Sequence, residues 1–200
     1  MRRPEHAQVA KMIDPESVAF DIDGVIANTM QLFLDIAQEV YGINNIRYGD
    51  ITKYHLDECL AMDPEVIREI NNRIIEGNYP CALAPIEGAA GVLRRLGHFG
   101  PLRLVTARPK PGPMSDWMPQ LLLPDQHRIE MHATGSFEAK ADVLKAHNIR
   151  FFVEDRLDTC FLLEGQDITP VLFVQPWNRE PHPFIEVSNW EQLERLFNFD

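Results

Sequence analysis

Apolar and polar positions change their rhythm along this chain, and each change predicts an element. Residues 18–29, "VAFDIDGVIANT", begin as an apolar run with the look of a buried strand, interrupted by Asp21 and Asp23 and then by Gly24. The following "TMQLFLDIAQEVYG" sets Phe33, Ile36, Ala37 and Val40 on one helical face and stops at Gly42, which predicts a first helix. Residues 43–62 are polar, mixed with aromatics, and hold no sustained period. Then "DPEVIREINNRIIEG" offers Asp63 as N-cap, Pro64 at the first helical position, Val66, Ile67, Ile70 and Ile74 as an apolar stripe, and Gly77 as a stop. "NYPCALAPIEG" reads as a linker stiffened by Pro80 and Pro85.

From there the pattern alternates. A short helix in "GAAGVLRRLG" precedes strands in "PLRLVTAR" and "RIEMHAT", a helix in "FEAKADVLKAH", a strand in "IRFFVED", a helix in "LDTCFLLEG" and a strand in "TPVLFV". A last helix in "VSNWEQLERLF" opens with Ser188 and Glu191 at capping-box spacing. Strands alternating with helices predict an α/β fold, doubly wound, with a mostly parallel Rossmann-like sheet covered on both faces. Residues 1–27 with 85–200 make up the expected core, and residues 28–84 an expected helical cap inserted after the first strand. Strand order is not readable from periodicity.

Composition narrows the function classes. The chain has 200 residues, 45% of them hydrophobic and 24% charged, as in one globular unit with room for a small second lobe. A net charge of -11 and a pI near 5.0 leave no general attraction for a nucleic-acid polymer or an anionic membrane. Cys59, Cys81 and Cys160 are far apart and form no Cys-x-x-Cys pair, which argues for a reducing compartment and against a thiolate metal site. His6, Lys11 and Asp14 interrupt any signal-like segment at the start, and no apolar stretch is long enough to span a bilayer. A cytoplasmic location is the expectation.

The chemistry gathers at expected strand ends. Alone, Asp21 and Asp23 read as a polar turn, because aspartate is disfavoured in strands and Asp-Gly marks turns. Residues two apart on an extended chain share a side, however, and two carboxylates that close demand a raised pKa or a cation. Thr106 and Arg108 end a second strand, and Glu154 and Asp155 a third. Acid, hydroxyl and base at the carboxyl ends of three strands mark the ligand crevice of an open α/β sheet.

"DIDGV", "VTAR", Lys140 and "VEDRLD", in that order, resemble the four motifs of the haloacid dehalogenase superfamily of phosphohydrolases. From about Val18 to Trp190 the chain is most similar to the 5'(3')-deoxyribonucleotidase group. The resemblance implies Asp21 as nucleophile and Asp23 as acid and base. It implies Thr106 and Lys140, with Ala107 and Arg108, as phosphoryl ligands. Mg2+ would be held by Asp21, the Asp23 carbonyl, Asp155 and Glu154, the last standing where the nucleotidases usually carry Asp. Asp158 is a candidate for an outer shell. The residue types suit those roles: a hard cation taking one or two carboxylates relieves the repulsion among the acids, and Lys140 offsets the dianion that an aspartate must attack. An aspartyl-phosphate divides one difficult displacement into two, and Asp23 can protonate the departing alcohol and then deprotonate water.

Other residues are assigned less. The seven histidines show no ligand spacing, and Arg73, Arg94 and Arg95 read as solvated helix faces. Tyr48, Tyr54 and His55 of the insert are candidates to stack on a base, and "QPWNR", with Trp177, follows the last expected strand. The expectation is therefore a magnesium-dependent phosphomonoesterase acting on a small phosphorylated metabolite such as a nucleoside monophosphate. A phosphatase of sugar phosphates and a non-catalytic binding protein on the same scaffold are the alternatives. Dehalogenase and phosphonatase chemistry are disfavoured, because the resemblance associates Asp23 with phosphoryl transfer.

Overall fold

The computed structural model describes residues 13–122 and 128–199. Its strands are β1 (Val18–Phe20), β2 (Leu102–Thr106), β3 (Ile129–Ala133), β4 (Phe151–Glu154), β5 (Thr169–Phe173) and β6 (Ile185–Val187). Its α-helices are α1 (Thr29–Tyr41), α2 (Pro64–Glu76), α3 (Ala89–Leu96), α4 (Met114–Leu122), α5 (Lys140–Ala146), α6 (Leu157–Glu164) and α7 (Trp190–Glu194). The strands form one sheet in the order β3-β2-β1-β4-β5-β6, and all five neighbouring pairs are parallel. This is the doubly wound α/β architecture. Between β1 and β4 the winding reverses direction, and the crevice outside those carboxyl ends is where such sheets bind ligands.

A parallel sheet is covered on both sides, so its central strands β1 and β4 are buried along their whole length rather than alternating. In β1, Val18 and Phe20 join Leu104 and Val153 in the larger core, and Ala19 joins Val105 and Phe152 in the smaller one. Leu93 of α3, Met118 of α4 and Trp190 of α7 cover the first face; Leu144 of α5 and Leu163 of α6 cover the second.

Residues 28–84 contribute α1, two 3-10 turns (Tyr48–Asp50 and Leu56–Glu58) and α2. Both helices have the ends their sequences predict. Asn28 accepts from the Gln31 amide and Asp63 from the Glu65 amide, and Gly42 and Gly77 close the helices in left-handed backbone. Leu32, Phe33 and Ile36 of α1 and Ile67, Ile70 and Ile74 of α2 are buried in the larger core.

Several expectations need correction. Val40 is exposed, so the buried face of α1 runs through Leu32 instead. Asn189, not Ser188, caps α7, by accepting from the Gln192 amide. Helix α5 begins at Lys140, after the hydroxyl of Ser136 has accepted from the Ala139 amide. Helix α4 and strand β6 were not expected: Pro109, Pro111, Pro113 and Pro119 disguise the helix, and Pro181 and Pro183 precede a strand of only three residues. Arg94 and Arg95 are not simply solvated: Arg94 donates to the Leu121 carbonyl at 2.7 Å, and Arg95 lies over the Phe199 ring. No helix among the described residues is long and apolar enough to cross a membrane.

Trp190 locks α7 onto the sheet. It is fully buried, stacks on Phe20 with ring centroids 5.6 Å apart, and donates its indole N–H to the Val25 carbonyl at 2.9 Å. Trp190→Ala is expected to cost about 3–5 kcal/mol, read as a lower urea midpoint; a loss under about 1 kcal/mol would show that the cavity collapses around Phe20.

Candidate active site

The site begins where β1 ends. The Asp21 amide donates to the Val153 carbonyl at 2.9 Å, so the chain is still pinned to β4 when it leaves the strand. It then turns back on itself, with the Ile26 and Ala27 amides both donating to the Ile22 carbonyl at 2.9 and 2.8 Å. Gly24 sits in this turn at φ 72°, and a Cβ there would stand 2.1 Å from Asp155 Oδ2. Only glycine lets the β1 loop lie directly against the β4 carboxylate.

Asp21 and Asp23 leave the strand into different company. Lys140 Nζ lies 3.1 Å from Asp21 Oδ1 and 2.8 Å from Glu154 Oε2, and the lysine is fully buried. Burial opposes its charge, but Asp21 and Glu154 overcome that and hold its pKa above the ordinary lysine value. Glu154 is fully buried too, and its Oε1 accepts from the Asp155 and Arg156 amides at 3.1 and 3.0 Å. Asp155 accepts from the Trp177 indole at 3.0 Å, and Asn178 fixes its carbonyl at 2.7 Å. Burial, Glu154 and Asp21 together push the Asp155 pKa up. Burial likewise raises Asp21, to about 8, against the pull of Lys140 and with added repulsion from Glu154 and Asp23.

Asp23 is held by Arg108 through two bonds, Nη2 to Oδ1 at 2.7 Å and Nε to Oδ2 at 2.8 Å, and by the Thr29 hydroxyl at 2.7 Å. Burial opposes ionisation here as well, but the Arg108 bonds and charge prevail and keep Asp23 below the usual carboxylate range. Arg108 also donates to the Ile74 carbonyl of α2 at 3.3 Å. Thr106, buried at the end of β2, accepts from the Arg108 amide at 3.2 Å.

Four carboxylates thus face two cations, and the deficit of positive charge is concentrated at Asp21 and Asp155. Asp21 Oδ1 is buried and takes no hydrogen bond among the described residues, its Lys140 contact being a bare ion pair. Oxygens of Asp21, Glu154 and Asp155 lie within 4.8 Å of one another. An all-carboxylate donor set with excess negative charge suits a hard divalent cation. Because Glu154 already serves Lys140 and two amides, Asp21 and Asp155 are the carboxylates left for that ion.

A cavity of about 530 Å³ opens over this floor, within the roughly 300–1,000 Å³ usual for small-molecule sites. Asp21, Asp23, Thr106, Ala107 and Arg108 line it from the core, and Tyr54, His55, Ile67 and Asn71 from the insert. Lys140 lies behind Asp21 rather than on the cavity wall. Tyr48 is turned to Gln175, to which its hydroxyl donates at 2.9 Å, while Trp177 borders the cavity. Asp158 pairs with Arg156 at 2.7 Å on the exposed side. Phe137 and Arg156 were not anticipated: Phe137 lines the cavity, and the Arg156 guanidinium lies 4.2 Å over its ring and 5.0 Å from that of Tyr54. Nothing local in sequence links these three residues.

The family model described as "5' nucleotidase, deoxy (Pyrimidine), cytosolic type C protein" matches residues 15–198. Among solved structures, the fold is similar to a haloacid dehalogenase-superfamily hydrolase from Ehrlichia chaffeensis, at 16% identity and a TM-score of 0.55, over 92% of this chain and 96% of that one. A candidate phosphatase from Clostridium difficile gives 15% identity and a TM-score of 0.60, over 93% and 100%. A candidate phosphoglycolate phosphatase from Lactobacillus plantarum gives 12% and 0.58, over 92% and 100%. No curated protein matches the chain by sequence.

The pKa shifts set a pH dependence. Asp21, at about 8 when folded against an ordinary 3.8, binds its proton more tightly in the folded state. The stability this gives is complete below about pH 4 and is lost as pH rises through about 8. Between pH 7 and 8.5 the chelator-treated protein should lose about 1 kcal/mol in urea unfolding, and a saturating divalent cation should flatten the slope. Stability that rose with pH over this interval would contradict the arrangement.

Proposed function

Because the chain belongs to the cytosolic type C family of deoxy (pyrimidine) 5' nucleotidases and is a phosphatase of the haloacid dehalogenase superfamily, we propose that it is a magnesium-dependent hydrolase of nucleoside monophosphates, working through an aspartyl-phosphate on Asp21. The observation that carries this reading is the meeting of Asp21, Asp23, Thr106 and Arg108 on the floor of one cavity, with Lys140 and Asp155 immediately behind.

Asp21 Oδ attacks phosphorus, the ester P–O bond breaks, and Asp23 gives its proton to the departing alcohol oxygen. Asp23 then removes a proton from water as that water attacks phosphorus, releasing inorganic phosphate and restoring the Asp21 carboxylate. In the resting site Arg108 keeps Asp23 ionised. A phosphate dianion competes for the same guanidinium, and as Arg108 turns to it Asp23 loses its partner, its pKa rises, and it can carry the proton the alcohol needs. Thr106 and the Ala107 amide cradle the phosphoryl oxygens. Lys140, held by Glu154, keeps Asp21 oriented and offsets charge from behind. Mg2+ would be held by Asp21, Asp155 and the Asp23 carbonyl, and when bound it offsets the charge between carboxylate and phosphoryl group.

Residues 28–84 act in this reading as a cap that selects the leaving group, since the core grips only phosphate. Tyr54, Phe137 and Trp177 offer aromatic faces around the cavity for a base. Cys59, Cys81 and Cys160 are all free thiols, consistent with a cytoplasmic setting.

A phosphate-release assay across nucleoside monophosphates and sugar phosphates tests the reading. Turnover is expected for nucleotides with Mg2+ and none in excess EDTA, and full activity in the chelator would sink the mechanism. Neutralising Asp23 separates the two steps. With Asp23→Asn, p-nitrophenyl phosphate needs no protonation to leave, so it should give a burst of nitrophenol and then hydrolysis slowed by roughly 10²- to 10⁴-fold. Rapid-quench traces without a burst, in a folded variant, would make Asp23 a structural group.

A further inference from the structure

We propose that Glu130, His132 and His147 form a second metal site, for a borderline transition ion such as zinc, which ties edge strand β3 to the end of α5. It is separate from the carboxylate cluster. Glu130 is paired with Arg103 in the sheet, three residues before the Thr106–Ala133 pair that marks the catalytic end of β2. At 3.3 Å per residue it lies roughly 10 Å back along the strand.

Sheet geometry brings the donors together. Residues two apart on a strand share a face, so Glu130 and His132 both project from β3 on one side. His147 ends α5 over that face: its ring centroid is 4.6 Å from that of His132, and its Nδ1 is 3.9 Å from Glu130 Oε2. One donor atom from each of the three residues lies within 4.8 Å of the other two. Around a tetrahedral zinc, donors at about 2.0–2.1 Å from the ion stand roughly 3.3 Å apart, so side-chain rotation of about an ångström closes the set.

Among the described residues the donor atoms take no hydrogen bonds, and Glu130 is held by ion pairs alone. His132 Nε2 and Glu130 Oε2 are buried without a hydrogen-bond partner among the described residues. A neutral imidazole has one lone-pair nitrogen to offer, and a metal can take one from each of the two rings. The competing occupants are guanidiniums: Arg103 Nε lies 3.2 Å from Glu130 Oε2, and Arg128 lies 2.9 Å from Oε1. Arg128 is mostly exposed and free to turn to water, while Arg103, which also donates to the Glu16 carbonyl at 3.2 Å, would have to give up Oε2 to the ion. Two imidazoles and one carboxylate favour zinc, cobalt or nickel over magnesium and leave a coordination position for water. His147 is partly exposed, which gives the ion a way in.

Chelator-stripped protein, dialysed against zinc with magnesium in excess and counted by atomic absorption, tests this. The wild type is expected to hold one more zinc per chain than a His132→Asn/His147→Gln double variant, with circular dichroism unchanged. Should the double variant misfold, cobalt(II) bound to the wild type and to Glu130→Gln serves instead. Its visible bands should be strong in the wild type and weakened at least about tenfold at equal metal in the variant. Equal zinc content in wild type and double variant, or no visible cobalt bands in the wild type, would show that the three residues are an ion-pair cluster with Arg103 and would overturn the proposal.

Discussion

A lysine ammonium with no access to water, fixed between two carboxylates, is the constraint around which this molecule is organised. Lys140 is fully buried and contacts both Asp21 and Glu154. Desolvating such a charge is tolerable only with partners in good geometry, and those partners come from different strands, β1 and β4. The lysine itself opens α5, which packs on the opposite side of β2 from the larger core. The ion pairs therefore fix the helix, the central strand and its neighbour relative to one another. Glu154, by spending its other oxygen on the amides of Asp155 and Arg156, sets the course of the chain as it leaves β4. The imbalance that remains, too many acids for the available bases, is what makes the pocket floor chemically unusual.

The insert is bound to the core by polar contacts at the cavity margin as well as by its apolar side. Tyr48 reaches Gln175, Lys53 reaches Glu180 at 3.0 Å, and Arg108 reaches the α2 backbone. Gln175 in turn donates to the Gly24 carbonyl at 2.7 Å. The segment after β5 is thus in contact with both the insert and the β1 loop. The surface pair Lys53–Glu180 is worth little in water; Arg108, desolvated and bidentate on Asp23, matters far more.

Much of this was legible in sequence where the signal is local. Helices α1 and α2 carry a capping side chain at one end and a glycine at the other, and the apolar run of β1 is unbroken. Asp21, Thr106 and Asp155 could be placed together because each ends a strand of one parallel sheet. What was hidden depends on contacts between residues far apart in the chain. Arg156 meets Tyr54 and Phe137 only after folding, and Glu130 meets His147 only because the end of α5 brings His147 beside β3. Lys140 was recognisable by resemblance alone, since a lysine at a helix start is ordinarily a surface residue. Prolines misled in the other direction: α4 contains Pro119 within its span, yet its buried Met114, Met118 and Leu122 hold it in place.

The Arg108 contacts have a consequence for timing. One guanidinium touches the side chain of Asp23 and the Ile74 carbonyl of the insert at once. An arginine that leaves for an arriving anion must therefore release both. Under the proposed mechanism, arrival of a phosphate would reach residues 28–84 and Asp23 as a single event, with no relay of intervening residues. On that proposal an empty cavity would hold Asp23 ionised and α2 tethered, and a filled one would release both in the same movement.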